Sequence, residues 1–459
     1  MDYRQLLQPD RGQDAATLYL VGPSGLDAWL TTQPQNVRAA LQLHRFKGAA
    51  DSVVPVLTGD RLVVAVGTGD AERLGSWSLA KAAETLPPGI YRVSGGTLGD
   101  APLGWLLAQY RFTRYRQSED AAQPRILLSS DVARIDEFAR EAEAVALVRD
   151  MVNTPAADMG PAEIEAQVRQ LADAQGAQVT VTQGDALEHD YPMIHAVGQA
   201  AVRARAPRLI ELEWGNPAHP RVAVVGKGVC FDTGGLDIKP SSGMRLMKKD
   251  MGGAAHALAL AKLVMEARLP IRLHLLIPAV ENAIAGNAFR PGDVLRSRLG
   301  PTVEIGNTDA EGRLILADAL AKAVEGKPEL IVDFATLTGA ARVALGPDLP
   351  ATFSNDDTLA VQVLEAGAAV DDPLWRLPLH DGYDEMLKSD IADLNNAPEG
   401  GMAGAVTAAL FLRRFVPDSI PWLHFDTFAW RPSARPGRPK GGDALALRAT
   451  WHLFRARWR

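Results

Sequence analysis

Gly306-Asn307-Thr308-Asp309-Ala310-Glu311-Gly312-Arg313-Leu314 is the most informative stretch of this chain. Two carboxylates and a guanidinium stand at alternate positions, separated by small residues and bounded by glycines. An apolar run at helical spacing follows, Leu314, Leu316, Ala317, Leu320, Ala321 and Val324, while Thr302-Val303-Glu304-Ile305 before it reads as a short strand. The spacing therefore predicts a strand, a tight turn and a helix, with acids at the helix start, where free N–H groups favour negative charge. Residues two apart do not share a helix face, but a tight turn can aim Asp309, Glu311 and Arg313 at one point. Such a set suits divalent-cation ligation, acid–base work or anion holding. Taken alone, ordinary capping and turn chemistry explain it equally well.

A second stretch tips that balance. Val225-Gly226-Lys227-Gly228-Val229-Cys230-Phe231-Asp232-Thr233-Gly234-Gly235-Leu236-Asp237-Ile238-Lys239-Pro240, with Met244 to Gly253 beyond it, scatters Lys227, Asp232, Lys239 and Asp250 among glycines. These follow an apolar strand, Val222 to Val225, and open α/β sheets place their sites at the carboxyl ends of such strands.

Composition narrows the class. The 459 residues are 47% hydrophobic and 22% charged, ordinary for a globular enzyme, and suffice for about three average domains. A net charge of −7 argues against a nucleic-acid or anionic-membrane partner. The lone cysteine, Cys230, excludes an intrachain disulfide and fits a reducing, cytoplasmic compartment. Met1 to Ala15 has no apolar signal core, and no run reaches the ~20 apolar residues that span a bilayer.

Along the chain, short apolar runs alternate with helical patterns. Residues 18–21, 52–57, 61–66, 90–93 and 126–128 read as strands, and 79–86 and 102–115 as helices, giving a small α/β domain over residues 1–140. A long amphipathic helix, Ala133 to Met151, leads into residues 141–459. There, strands at 178–182, 208–213, 221–225, 271–277, 329–334 and 422–425 and helices at 161–174 and 254–267 predict a larger α/β domain. Its sheet is expected to be mostly parallel and covered by helices on both faces.

Several motifs fail on inspection. Val66-Gly67-Thr68-Gly69-Asp70-Ala71-Glu72 begins a dinucleotide-binding pattern, but Glu72 stands where the last glycine belongs. Gly226-Lys227 lacks the first glycine of a phosphate loop. Asp232-Thr233-Gly234 matches an aspartic-protease tripeptide, but Asp426-Thr427-Phe428 is no second copy. The nine histidines show no ligand spacing, and Cys230 reads as a packed small residue. The carboxylates Asp232, Asp250, Asp309 and Glu311 remain. Converging alone, they would repel and raise one another's pKa values. Two divalent cations relieve that repulsion and suit a hydrolytic displacement. Oxygen-rich ligation without His or Cys favours Mn²⁺, Mg²⁺ or Zn²⁺.

At these residues the chain resembles the leucyl (cytosol) aminopeptidase family. Its signature segments stand here as Gly226–Pro240, Met244–Ala255, Asn307–Leu314 and Ala335–Ala340, over a resemblance running from about residue 140 to 459. Cys230 and Asp237 replace the usual Thr/Ser and Ser. The resemblance implies an aminopeptidase releasing N-terminal residues, apolar ones such as Leu by preference. It implies that Lys227, Asp232, Asp250 and Glu311 bind a buried metal and that Asp232, Asp309 and Glu311 bind a more exchangeable one. Lys239 would polarise the scissile carbonyl, Arg313 would hold a bicarbonate proton shuttle, and Asp250 would also take the substrate's α-amine. Met247, Thr336 and Gly339 would line the pocket for the first side chain, with Leu337 offering a backbone carbonyl. A homohexamer with sites facing an inner cavity is implied as well.

Blander roles stay open on the residues alone: Lys227 and Arg313 as ion-pair partners, Lys239 as a surface lysine, Met247 and Thr336 as core. Two other functions are also compatible, a dinuclear amidase or phosphoesterase and a non-catalytic DNA-binding or regulatory relative.

Overall fold

The structure is a computed structural model and describes residues 2–69, 73–94, 97–116 and 123–458. The Asp70-Ala71-Glu72 end of the failed dinucleotide pattern lies outside the described residues. The chain divides into two compact units, residues 1–146 with 432–440, and residues 147–431 with 441–459. The change falls within the helix Ile135–Asn153.

The first unit is a six-stranded sheet in the order Leu7–Pro9, Arg125–Ser129, Gly89–Ser94, Ala16–Val21, Arg61–Gly67, Val53–Thr58. Every pairing is parallel except the last, where Thr58 opposes Arg61 across a two-residue turn. Gly59, at φ 66°, supplies the left-handed residue that such a tight turn needs. The helix expected over 102–115 is shorter, Ala101–Leu107. Two further helices, Leu26–Thr31 and Gln35–Leu43, are absent from the sequence reading.

The second unit is built on a nine-stranded sheet. Its centre is parallel: Trp422–Asp426, Leu330–Ala335, Arg221–Gly226 and Arg272–Asn282 lie side by side, and Gly228–Asp232 extends alongside the last. Its flanks turn antiparallel, with Ala351–Ser354 on Trp422–Asp426 and Arg208–Trp214 on Arg272–Asn282. Six residues, 215–220, link Arg208–Trp214 to Arg221–Gly226, too few for the helical crossover that parallel strands require.

Both faces of the sheet are covered. Ile331 and Ala335 pack into one apolar cluster with Leu314, Ala317 and Leu320 of the helix Glu311–Glu325. Phe334 points the other way and stacks on His256 of the helix Gly252–Glu266, ring centroids 5.7 Å apart. Because side chains alternate across a strand, one β-run serves two helical layers. Cys230 is fully buried, as a packed small residue should be, and burial pushes its thiol up. The buried histidines have structural partners: His424 meets Asp333 at 2.6 Å and His274 meets Glu211 at 2.8 Å. No helix among the described residues is long and apolar enough to cross a membrane.

One carboxylate holds the site helix in place. Asp318, fully buried in Glu311–Glu325, accepts from the backbone N–H groups of Met193 at 2.9 Å, Ile194 at 3.4 Å and Arg298 at 2.8 Å. It thereby caps the start of the helix Pro192–Gly198, where the first N–H groups of any helix lack an intrahelical acceptor. Asp318→Ala should cost about 3 kcal/mol, since it strands buried donors. Denaturant unfolding would measure it, and a loss under about 0.5 kcal/mol would show the contacts to be idle.

Candidate active site

The charged residues converge at the carboxyl edge of the parallel strands. Lys227 leaves the end of Arg221–Gly226, Asp232 ends Gly228–Asp232, and Thr336 follows Leu330–Ala335. Asp250 lies in the 3₁₀ turn Met247–Met251, and Glu311 is the first residue of its helix, after the expected strand-to-helix turn. Lys227, Asp232, Lys239, Met247, Asp250, Asp309, Glu311, Arg313, Thr336, Leu337 and Gly339 all line one cleft of about 420 Å³.

Within that cleft the acids crowd. Asp232, Asp309 and Glu311 each bring an oxygen within 4.8 Å of the other two. Asp232 Oδ1 accepts from the Gly234 N–H and from Asn282 Nδ2, both at 2.9 Å, while Oδ2 faces Lys239 Nζ at 2.8 Å. Lys239 also closes on Asp309 Oδ1 as an ion pair. Lys227 Nζ donates to Asp250 Oδ2 and to the Thr336 carbonyl at 3.0 Å, and sits 3.2 Å from Glu311 Oε1. Asp250 Oδ1 accepts from Thr336 Oγ1 at 2.9 Å. The interior path of Lys227 depends on Gly312: a Cβ there would meet Lys227 Cε at 2.2 Å.

Electrostatics follow from the crowding. Burial, with the Asp232 charge behind it, pushes Glu311 up to about 8 and Asp309 up to about 6. Burial alone would lower both lysines, but the neighbouring carboxylates outweigh it and hold them above their ordinary value. Asp250 goes the other way: burial would raise it, but Lys227 and Lys249 hold it low. Burial brings Arg313 down to about 10. Arg313 does not pair with an acid among the described residues; NH1 donates to the Asn396 carbonyl at 2.6 Å.

Side chains outside the predicted site set do much of the positioning. Asn396 accepts from the N–H groups of Gly306 and Asn307 and donates to the Asn307 carbonyl, fixing the acidic turn. Asp426 accepts from the Leu337 and Thr338 N–H groups at 3.0 and 3.2 Å and from Thr338 Oγ1 at 2.6 Å, holding the opposite wall. Its place in a strand-end Asp-Thr pair was the only hint. Asp237 is spent on the backbone: its carboxylate accepts from the Thr308 N–H at 2.7 Å, and its own N–H donates to Thr308 Oγ1. It ties the Lys239 loop to the Asp309 turn.

The donor set fits hard divalent cations: several buried carboxylate oxygens converge, two of the acids are pushed toward protonation, and no thiol is present. In protein freed of cations by a chelator, Glu311 and Asp309 hold protons more tightly folded than unfolded. Their stabilising contribution is therefore complete below the unfolded value of ~4 and is lost as pH rises through about 6 and about 8. The melting temperature of chelated protein should fall between pH 5 and pH 8.5, and Glu311→Gln should flatten the upper part of that fall. A rise over the same window would contradict the assignment.

Comparisons with known proteins agree with this geometry. The catalytic-domain profile of the cytosol aminopeptidase family matches residues 146–450, and the profile of the M17 aminopeptidase N-terminal domain matches residues 17–128. A probable cytosol aminopeptidase of Rhizobium meliloti is 38% identical over 456 residues, covering 92% of this chain and 88% of the relative. The crystal structure of the cytosol aminopeptidase from Coxiella burnetii superposes with a TM-score of 0.93 at 45% identity, over 99% of this chain and 100% of that one. The bottromycin maturation enzyme BotP in complex with Mn gives 0.86 at 32% identity, over 97% and 99%. The chain belongs to the cytosol aminopeptidase family and is a metal-dependent aminopeptidase, a hydrolase of the M17 type.

Proposed function

We propose that Lys227, Asp232, Asp250, Asp309 and Glu311 hold two divalent cations, Mn²⁺ or Zn²⁺ with Mg²⁺ as a third option, and that peptides are hydrolysed there from the N-terminus. The observation that carries this reading is the buried trio Asp232, Asp309 and Glu311, oxygens within 4.8 Å, flanked by two lysines. When bound, the cations supply Lewis-acid activation of a water and of the scissile carbonyl.

The protein's own groups have separable tasks. Lys227 must shed its proton to act as a ligand, against the pull of Asp250 and Glu311. Cations that neutralise those carboxylates remove that pull. Asp250 takes the substrate's free α-amine. Lys239 donates to the carbonyl oxygen as negative charge grows on it, where a preplaced cation is worth most. Arg313 keeps N–H groups beyond the one given to Asn396, and these suit a planar anion such as bicarbonate, whose task is to relay a proton. Met247, Thr336 and Gly339 line the pocket for the first side chain, and the Leu337 carbonyl orients the backbone.

The remaining assignments rest on the chain's pattern, its lone cysteine and acidic balance, and, for the hexamer, on the resemblance alone. Residues 1–140 form a small α/β N-terminal domain and 141–459 the catalytic one; the protein works in the cytoplasm as a homohexamer, with no nucleic-acid partner. Six sites sharing a cavity would admit short peptides and exclude folded proteins. Light scattering should report about six subunits, and a monomer at micromolar concentration would end this part of the proposal.

Variants separate ligands from the groups that act on substrate. Chelation should abolish release of leucine from a Leu-anilide, and Mn²⁺ or Zn²⁺ should restore it. Glu311→Ala should lose both bound metal and activity. Arg313→Ala should keep its metal and lose about 10²- to 10⁴-fold in rate, the usual range for acid–base assistance. Elemental analysis beside the rates decides; metal lost from Arg313→Ala would show the roles to be misassigned.

A further inference from the structure

Among the described residues, the Lys249 ammonium in the cleft has no hydrogen-bond acceptor. Lys249 sits between Lys248 and Asp250 on the turn Met247–Met251, and it is only 5% exposed. The other lysines near it have closer oxygens. Lys248 donates to the Asn153 carbonyl at 2.6 Å, Lys227 to Asp250 and Thr336, and Lys239 meets Asp232 and Asp309. The nearest carboxylate oxygen to Lys249 Nζ is Asp250 Oδ1 at 3.7 Å, an oxygen already bonded to Thr336. Lys249 Nζ also lies 5.2 Å from the ring centroid of Phe428, with the Arg342 guanidinium 5.1 Å from the same centroid.

An ammonium buried in this way is costly unless something anionic reaches it. The cleft is the route by which an anion can arrive, for Lys249, Arg342 and Phe428 line it together with Met247 and Thr336. Met247 and Phe428 offer apolar walls that suit methylene groups, and Lys249 stands beside them with Arg342 on the more exposed helix Gly339–Leu345. Apolar walls with a cation beside them match the side chain of glutamate or aspartate.

We propose that Lys249, aided by Arg342, is a specificity-determining subsite for a carboxylate, and that the enzyme removes N-terminal Glu and Asp in addition to apolar residues. This rests on the reading above that Met247, Thr336 and Gly339 surround the first side chain. A charge-assisted bond in a buried site discriminates against a neutral isostere by roughly 10- to 100-fold.

The test compares anilides of Glu, Gln and Leu on the metal-loaded enzyme. Wild type should show kcat/KM for Glu above that for Gln by ~10-fold or more. Lys249→Met should lower the Glu-to-Leu ratio by a similar factor, Lys249→Arg should restore much of it, and Arg342→Gln should lower it less. A structural role for Lys249 would depress Glu and Leu turnover together, and that result overturns the proposal. Wild type treating Glu no better than Gln overturns it without any variant, so a misfolded Lys249→Met does not leave the matter open. In chelated protein, free L-glutamate should raise the melting temperature more than L-glutamine does, and Lys249→Met should erase the difference. If Lys249 distinguishes only Leu-Gly from Leu-Gly-amide, the carboxylate it reads is the peptide's C-terminus and the proposal fails. Absence of Leu-anilide turnover would instead sink the aminopeptidase assignment itself.

Discussion

Four carboxylates brought to one edge of a sheet repel each other, and the architecture of this protein is arranged around containing that repulsion. Asp232, Asp309 and Glu311 crowd one point, and Asp250 is joined to them through Lys227. In a medium of low dielectric such proximity costs several kcal/mol unless positive charge is interleaved. Lys227 and Lys239 supply that charge from within the chain, and the pull they exert on the acids opposes the burial that pushes Glu311 and Asp309 up. The same arrangement invites divalent cations, because a dication neutralises more charge per unit volume than an ammonium does.

Holding such a cluster requires a rigid frame, and the frame is mostly uncharged. Gly312 lets the Lys227 side chain pass, and Gly253 lets the helix Gly252–Glu266 approach the strand that carries Phe334, whose carbonyl would lie 2.1 Å from a Cβ there. Asn282 and Asn396 fix acids and turns through amide groups that add no net charge. Neutral positioning has a physical logic here: another acid would deepen the repulsion, and another cation would compete with the metals. Asp426 and Asp237 are exceptions that support the rule, since each commits its carboxylate to backbone N–H groups and a threonine hydroxyl.

Much of this was legible in the sequence because it is local. The apolar runs at 221–225, 271–277, 329–334 and 422–425 mark strands since each is buried on both faces, and the Asn307–Leu314 turn shows its acids within a few residues. The antiparallel flanks were not legible. Strand direction is set by the length of connection, and the short 215–220 link shows this only once the neighbour of Arg208–Trp214 is known to be Arg272–Asn282. Contacts across long separations were hidden for a similar reason: Asn396 lies about ninety positions from the turn it fixes, and no periodicity links the two.

The two lysines of the metal-side turn and strand show why residue type alone does not settle a role. Lys227 and Lys249 are both buried, lie near the same Asp250 and contribute to the same cleft. Lys227 has three oxygens within 3.2 Å, so its charge is consumed by the fold. Lys249 has aromatic surface and one distant, already occupied carboxylate, so its charge is left for whatever enters. A cation satisfied by the protein stabilises the frame, whereas one held short of its acceptors transfers its unmet bonding to the ligand. In an enzyme whose reacting groups are fixed by metal geometry, discrimination between substrates falls to such residues at the edge of the cluster. Tuning them alters which side chain is accepted and leaves the carboxylate arrangement that performs the chemistry in place.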